Sequence, residues 1–219
     1  MHPHAERHLR PHAWPMNAGA EALTAAQFAR CGFDVLVAGC DRPWYDLVIT
    51  KAGTLLRVSV RASENGCWCL TEPFLRRSSD VTRIKQECHT AIDLWLGHHG
   101  SRTVCCLVQF EGVLIQQLPR IYLASPVQIA QRMRETADRI GNSTLFEQYE
   151  WTPACGNAPS IERLPASWRF SNERIQELQG DVFPRMIMGS IRPHVLSPAV
   201  IWSTPTEGES DKLSNAAVA

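Results

Sequence analysis

Apolar and polar positions alternate with two different periods along this chain, and the switches between them mark out its elements. Leu23, Ala26, Ala29 and Ala22 recur at helical spacing after Asn17, a fair N-cap, with Glu21 in the first turns and Gly32 as the stop. "FDVLVA" from Phe33 is then a short buried strand. A hairpin follows: Tyr45 to Thr50, the turn "KAGT", and Leu55 to Ala62. On its second strand Val58 and Val60 point one way and Arg57, Ser59 and Arg61 the other, because successive side chains of a strand alternate faces. "CWCLT", after the Asn65-Gly66 turn, reads as a fourth strand.

Ser79 or Asp80 caps a helix in which Val81, Ile84, Cys88, Ala91, Ile92 and Trp95 keep the helical rhythm to Leu96, ahead of "GHHG". "TVCCLVQF" is an unbroken apolar run of strand length, as expected in a sheet covered on both faces. After "RIYLA", Ser125, Pro126 and Gln128 form a capping box for a helix through Ile140. One more helix is predicted near Asn172 to Gln179. The order α-β-β-β-β-α-β-β-α predicts a mixed α/β sandwich over 16–152, with a C-terminal extension over 153–190. Residues 1–15 and 191–219 read as disordered tails.

Composition narrows the partners. Lys plus Arg and Asp plus Glu stand at 22 each, so a nucleic acid must be held by a local basic patch and not by global charge. Such a patch is present between Arg57 and Lys85, where Arg57, Arg61, Arg76, Arg77, Arg83 and Lys85 face only Glu64, Glu72 and Asp80. The N-terminal "MHPHAERHLRPHAWP" is no signal peptide, and no stretch approaches the ~18–20 apolar residues of a membrane span, so a soluble cytoplasmic protein is expected. The eight cysteines fit a reducing compartment, with Cys31, Cys88, Cys105 and Cys106 inside apolar patterns. Cys67 and Cys69 are one residue apart, short of zinc-site spacing, and Cys88-His89 or His98-His99 would join them only by tertiary coincidence.

Two charged groups stand out on the hairpin: Asp46, where the first strand begins, and Arg61, where the second ends. Asp is disfavoured within strands. Read alone, Asp46 is a strand-end or turn residue, Arg57 and Arg61 a solvated face, and Glu21 a helix-start acid favourable to the dipole. Taken together, "GAEALTAAQFARCGFDVLVAG", "YDLVI" and "VSVRAS" resemble the PD-(D/E)XK nuclease superfamily, in which a helix bearing Glu precedes a hairpin carrying Asp, then Glu or Gln, one residue, and Lys. "NGCWCLTEPF" and the run from "LVQF" to "RIYLASPVQIA" are similar to an uncharacterised bacterial branch related to intron-type homing endonucleases.

The resemblance, which covers roughly Ala18 to Trp151, implies a restriction-endonuclease-like core with a mixed central sheet flanked by helices. It implies Mg²⁺ held by Asp46, Glu21 and the Val60 backbone carbonyl, with Glu21, Asp46, Ser59 and Arg61 as the catalytic set. The ion would stabilise charge on the phosphorane and lower the pKa of a bound water. DNA is the implied partner, gripped by Arg57, Arg76, Arg77, Arg83 and Lys85, and a homodimer is an admissible assembly. Two positions depart from the pattern. Ser59 stands where Glu or Gln would supply an oxygen on a longer arm, and Arg61 stands at the Lys position with a planar, permanently charged fork. Glu64, Glu72 and Glu87 are the candidates to replace the missing carboxylate. The implied function is therefore a weakly active Mg²⁺-dependent DNA endonuclease or a catalytically inactive nucleic-acid-binding or regulatory relative.

Overall fold

The alternation along Thr54–Ser63 decides the architecture, because it gives this strand two faces that must both be covered. The computed structural model describes residues 13–39, 44–75, 81–152 and 158–182, with side chains at all of these except 13–15, 81–83 and 181–182. The expected caps Ser79 and Asp80 and the tail 191–219 lie outside the described residues, as does most of 1–15. All described residues belong to one unit, 1–184.

A first helix α1 (Ala13–Arg30) leads into β1 (Asp34–Val37) and the hairpin of β2 (Leu47–Lys51) and β3 (Thr54–Ser63). After β4 (Cys67–Trp68) and a 3₁₀ turn over Glu72–Phe74 comes α2 (Val81–Gly97), then β5 (Thr103–Gln109), β6 (Arg120–Ala124) and α3 (Pro126–Ile140). The described chain continues through β7 (Leu145–Phe146), β8 (Gln148–Trp151), β9 (Ser160–Arg163) and α4 (Asn172–Val182). The main sheet has the order β1-β2-β3-β5-β6. Its β3–β5 pair is parallel and its other pairs antiparallel, so the sheet is mixed and the fold is the expected α/β arrangement with flanking helices.

Each sheet face carries its own core. Leu56, Val58 and Val60 of β3 join Val104, Cys106 and Val108 of β5 in a cluster under Ala20 and Phe28 of α1 and Ile175 and Leu178 of α4. Cys105 and Leu107 turn to the opposite face and pack with Ile92 and Trp95 of α2 and Ile129 and Met133 of α3. Every residue of β5 is buried, as its unbroken apolar run requires. The register sets Ser59 opposite Cys105 and Arg61 opposite Leu107, so both belong to the α2–α3 face. Leu164 and Trp168 enter one cluster and Ile175 and Leu178 the other, so part of the segment after 152 packs into the core.

Several local expectations are corrected. The first helix starts at Ala13 and not after Asn17, which leaves Glu21 in mid-helix with no acid in the first turn. The dipole account of Glu21 therefore fails. "CWCLT" forms only two strand residues, which pair with β7 and not with the main sheet. Trp68 is drawn into the α2–α3 core at 2 % exposure, and Pro73 in the following 3₁₀ turn cannot donate to a ladder. The β2 strand begins at Leu47, two residues later than its apolar pattern suggests, although Asp46 N–H still donates to the Val58 carbonyl at 2.8 Å. No described helix is long and apolar enough to cross a membrane.

Candidate functional site

The site exists because β3 outruns β2. Their register ends at Leu47 opposite Val58, while β3 continues to Ser63. Beyond that point Val60 and Ala62 present backbone groups on an edge with no strand beside it among the described residues, and unpaired backbone groups are costly. Side chains supply the partners. Val60 N–H donates to Asp46 Oδ2 at 2.6 Å, and Ala62 N–H donates to Asn17 Oδ1 at 3.4 Å. Asn17, which the sequence suggests as an N-cap, thus ties α1 to the open edge of β3. Glu21 lies one helical turn further along α1.

Arg61 closes the arrangement. Its Nη1 donates to Asp46 Oδ2 at 3.1 Å and to the Val60 carbonyl at 2.6 Å. The guanidinium therefore bridges the two atoms that the resemblance assigns to a divalent cation. The pair is partly open to water, with 34 % of the Arg61 side chain and 20 % of the Asp46 side chain exposed. The Glu21 carboxyl is pushed above its ordinary pKa, first by burial and then by the negative charge of Asp46, with Arg61 pulling the other way. Glu21, Asp46 and Arg61 thus share one electrostatic neighbourhood. Ser59 lies on the same face as Arg61 but is 1 % exposed, and the ion pair makes its contacts with Val60 instead.

The donor set does not fit Mg²⁺ as it is arranged. A hard dication requires several oxygen ligands. Here the best-placed carboxylate oxygen already takes a guanidinium and a backbone N–H, and the Val60 carbonyl takes the same guanidinium. Among the described residues no group of three or more His, Cys, Asp or Glu side chains is placed to hold a metal ion. Glu64, Glu72 and Glu87 therefore complete no such group.

The basic residues separate in the same way. Arg57 shares the β3 face with Arg61, about 13 Å away along the strand, and is exposed with its guanidinium 5.3 Å from the Tyr45 ring centroid. Lys85 sits near the start of α2 and donates to the Asp138 carbonyl at 2.7 Å. Arg76, Arg77 and the side chain of Arg83 lie outside the described residues.

Sequence reasoning missed an aromatic group gathered around Trp44, two residues before Asp46. Trp44, Phe74, Trp95, His98 and His99 meet there from the approach to β2, the 3₁₀ turn and the end of α2. Burial and the positive charges of Arg61 and His98 lower the His99 pKa to about 4. Both its ring nitrogens are buried without a hydrogen-bond partner among the described residues. The only sequence signal was the "GHHG" stop itself. Cys105 and Cys106, by contrast, have thiols that burial pushes up to about 12, so they behave as small hydrophobes. No family model matches the chain, and no curated protein does.

Proposed function

We propose that this chain is a nucleic-acid-binding protein of the nuclease-like kind that its sequence resembles, with the hydrolytic centre filled by its own arginine. The observation that carries this reading is Arg61 Nη1 seated between Asp46 Oδ2 and the Val60 carbonyl. A guanidinium there is permanently charged and already paired, so it repels a second cation and does not activate a water. Arg61 Nε and Nη2 donate to no protein group among the described residues, and on a partly exposed side chain they remain free to meet a phosphate. Arg57, exposed on the same strand face, adds a second contact.

The second reading, a slow Mg²⁺-dependent DNA endonuclease, draws on Glu21 and Asp46 lying within electrostatic reach of each other. It requires Arg61 to swing away from both oxygens. One experiment separates the two. Incubation of supercoiled plasmid with the protein and Mg²⁺ or Mn²⁺ is expected to give salt-sensitive binding without nicking. Arg57→Ala should weaken binding on all sequences and reduce the salt slope by about one. Metal-dependent nicking that disappears in Asp46→Ala would instead establish the enzyme. Absence of any binding at low salt would remove both readings.

A further inference from the structure

Three aromatic planes lie nearly parallel around Trp44, on the approach to the strand that follows Asp46. The Trp44 and His98 rings are 3.8 Å apart between centroids at an interplanar angle of 7°. Phe74 lies 5.2 Å from His98 at 24° and 6.1 Å from Trp44 at 22°. Behind them His99 stands edge-on to Trp44 and to Trp95. His99 also feels the charge of Arg61, which puts the group within electrostatic reach of that guanidinium. Trp44 is two residues before Asp46, so the approach to one strand presents both the stack and the acid.

This group differs from the aromatic pairs of the core. Phe28 and Phe33 are buried and meet edge to face at 80°. In contrast His98 is exposed, and Trp44 and Phe74 are half-buried. Flat, parallel rings at a water-accessible edge, within electrostatic reach of a guanidinium with unused donors, combine the two elements that hold single-stranded nucleic acid: a stacking surface for bases and a cation for the backbone. A duplex hides its base faces and offers only the backbone to such a surface.

We infer that the Trp44–His98–Phe74 stack seats an unpaired nucleobase while Arg61 takes an adjoining phosphate, so that the preferred ligand is single-stranded nucleic acid. This inference rests on the nucleic-acid reading above and names its ligand. The test is fluorescence anisotropy with a labelled short thymidine homopolymer and, separately, a labelled duplex of the same length. The wild-type chain should bind the single strand more tightly. Trp44→Ala should raise the single-strand Kd about tenfold and leave the duplex Kd within about twofold, and Trp44→Phe should recover most of the loss. Should Trp44→Ala fail to fold by circular dichroism, His98→Ala, which alters an exposed ring, decides in its place and should shift the single-strand Kd in the same direction. If the folded variants leave single-strand binding unchanged while Arg57→Ala weakens both ligands, the stacking inference falls and the nucleic-acid reading stands. If neither ligand binds at low salt, both fall together.

Discussion

His99 couples the chemistry of one ring to the stability of the whole chain. Its pKa in the fold is lowered to about 4, through burial first and then the charges of Arg61 and His98. In the unfolded chain a histidine titrates near ~6.5. Between those values the unfolded state binds more protons than the folded one. Stability is therefore complete above the unfolded value and is lost as pH falls toward the folded value. Urea denaturation should show a loss on the order of 1–2 kcal/mol between about pH 7 and 5, a window above the range in which ordinary carboxylates titrate. His99→Phe, which keeps an aromatic ring against Trp95, should flatten that window. An unchanged pH profile in the variant would show that the ring does not titrate as its surroundings imply.

Among the elements, α3 shows how a local signal is reused in tertiary structure. Ser125 Oγ accepts from Gln128 N–H at 3.2 Å and Gln128 Oε1 accepts from Ser125 N–H at 3.0 Å, which is the capping box the sequence predicts. The same Gln128 Oε1 also accepts from Arg174 Nη2 at 2.6 Å. Ser125→Ala removes one cap bond and should cost about 1 kcal/mol, lowering the melting temperature by about 2–4 °C. Gln128→Ala removes the return half of the box together with the link to α4, so its loss should exceed that of Ser125→Ala. Differential scanning calorimetry on the two variants checks the order, and equal losses would mean that the Arg174 link contributes nothing.

Across the whole molecule, Arg174 fastens the last described helix to the sheet. It is 3 % exposed, and its Nε donates to the Leu123 carbonyl at 2.9 Å while Nη1 reaches Glu177 at 2.7 Å. Together with Gln128 these contacts join β6, α3 and α4 around one guanidinium. Arg174→Ala would leave the buried Leu123 carbonyl without this donor and loosen Ile175 and Leu178 from the α1-side core. A loss of about 3 kcal/mol is expected in urea denaturation. A loss below about 1 kcal/mol would mean that α4 is only laid on the surface.

Hydrophobic period and capping chemistry determined much of this protein on their own, because both are settled within a few residues of chain. The burial of β5 follows from "TVCCLVQ", the start of α3 from Ser125-Pro126-Gln128, and the two faces of β3 from alternation. The same patterns could not show how far β3 would outrun β2, since strand register depends on how whole elements pack. That overhang creates the open edge at Val60 and Ala62, and the edge recruits Asp46 from the preceding strand and Asn17 from α1. Arg61 then turns back onto Asp46 and Val60, so a residue legible in sequence only as a departure from the resembled pattern is held by the acid and by the backbone beside it. Trp44, Phe74 and His98 carried no shared signal either, because only the tertiary fold brings the approach to β2, a 3₁₀ turn and the end of α2 to one place.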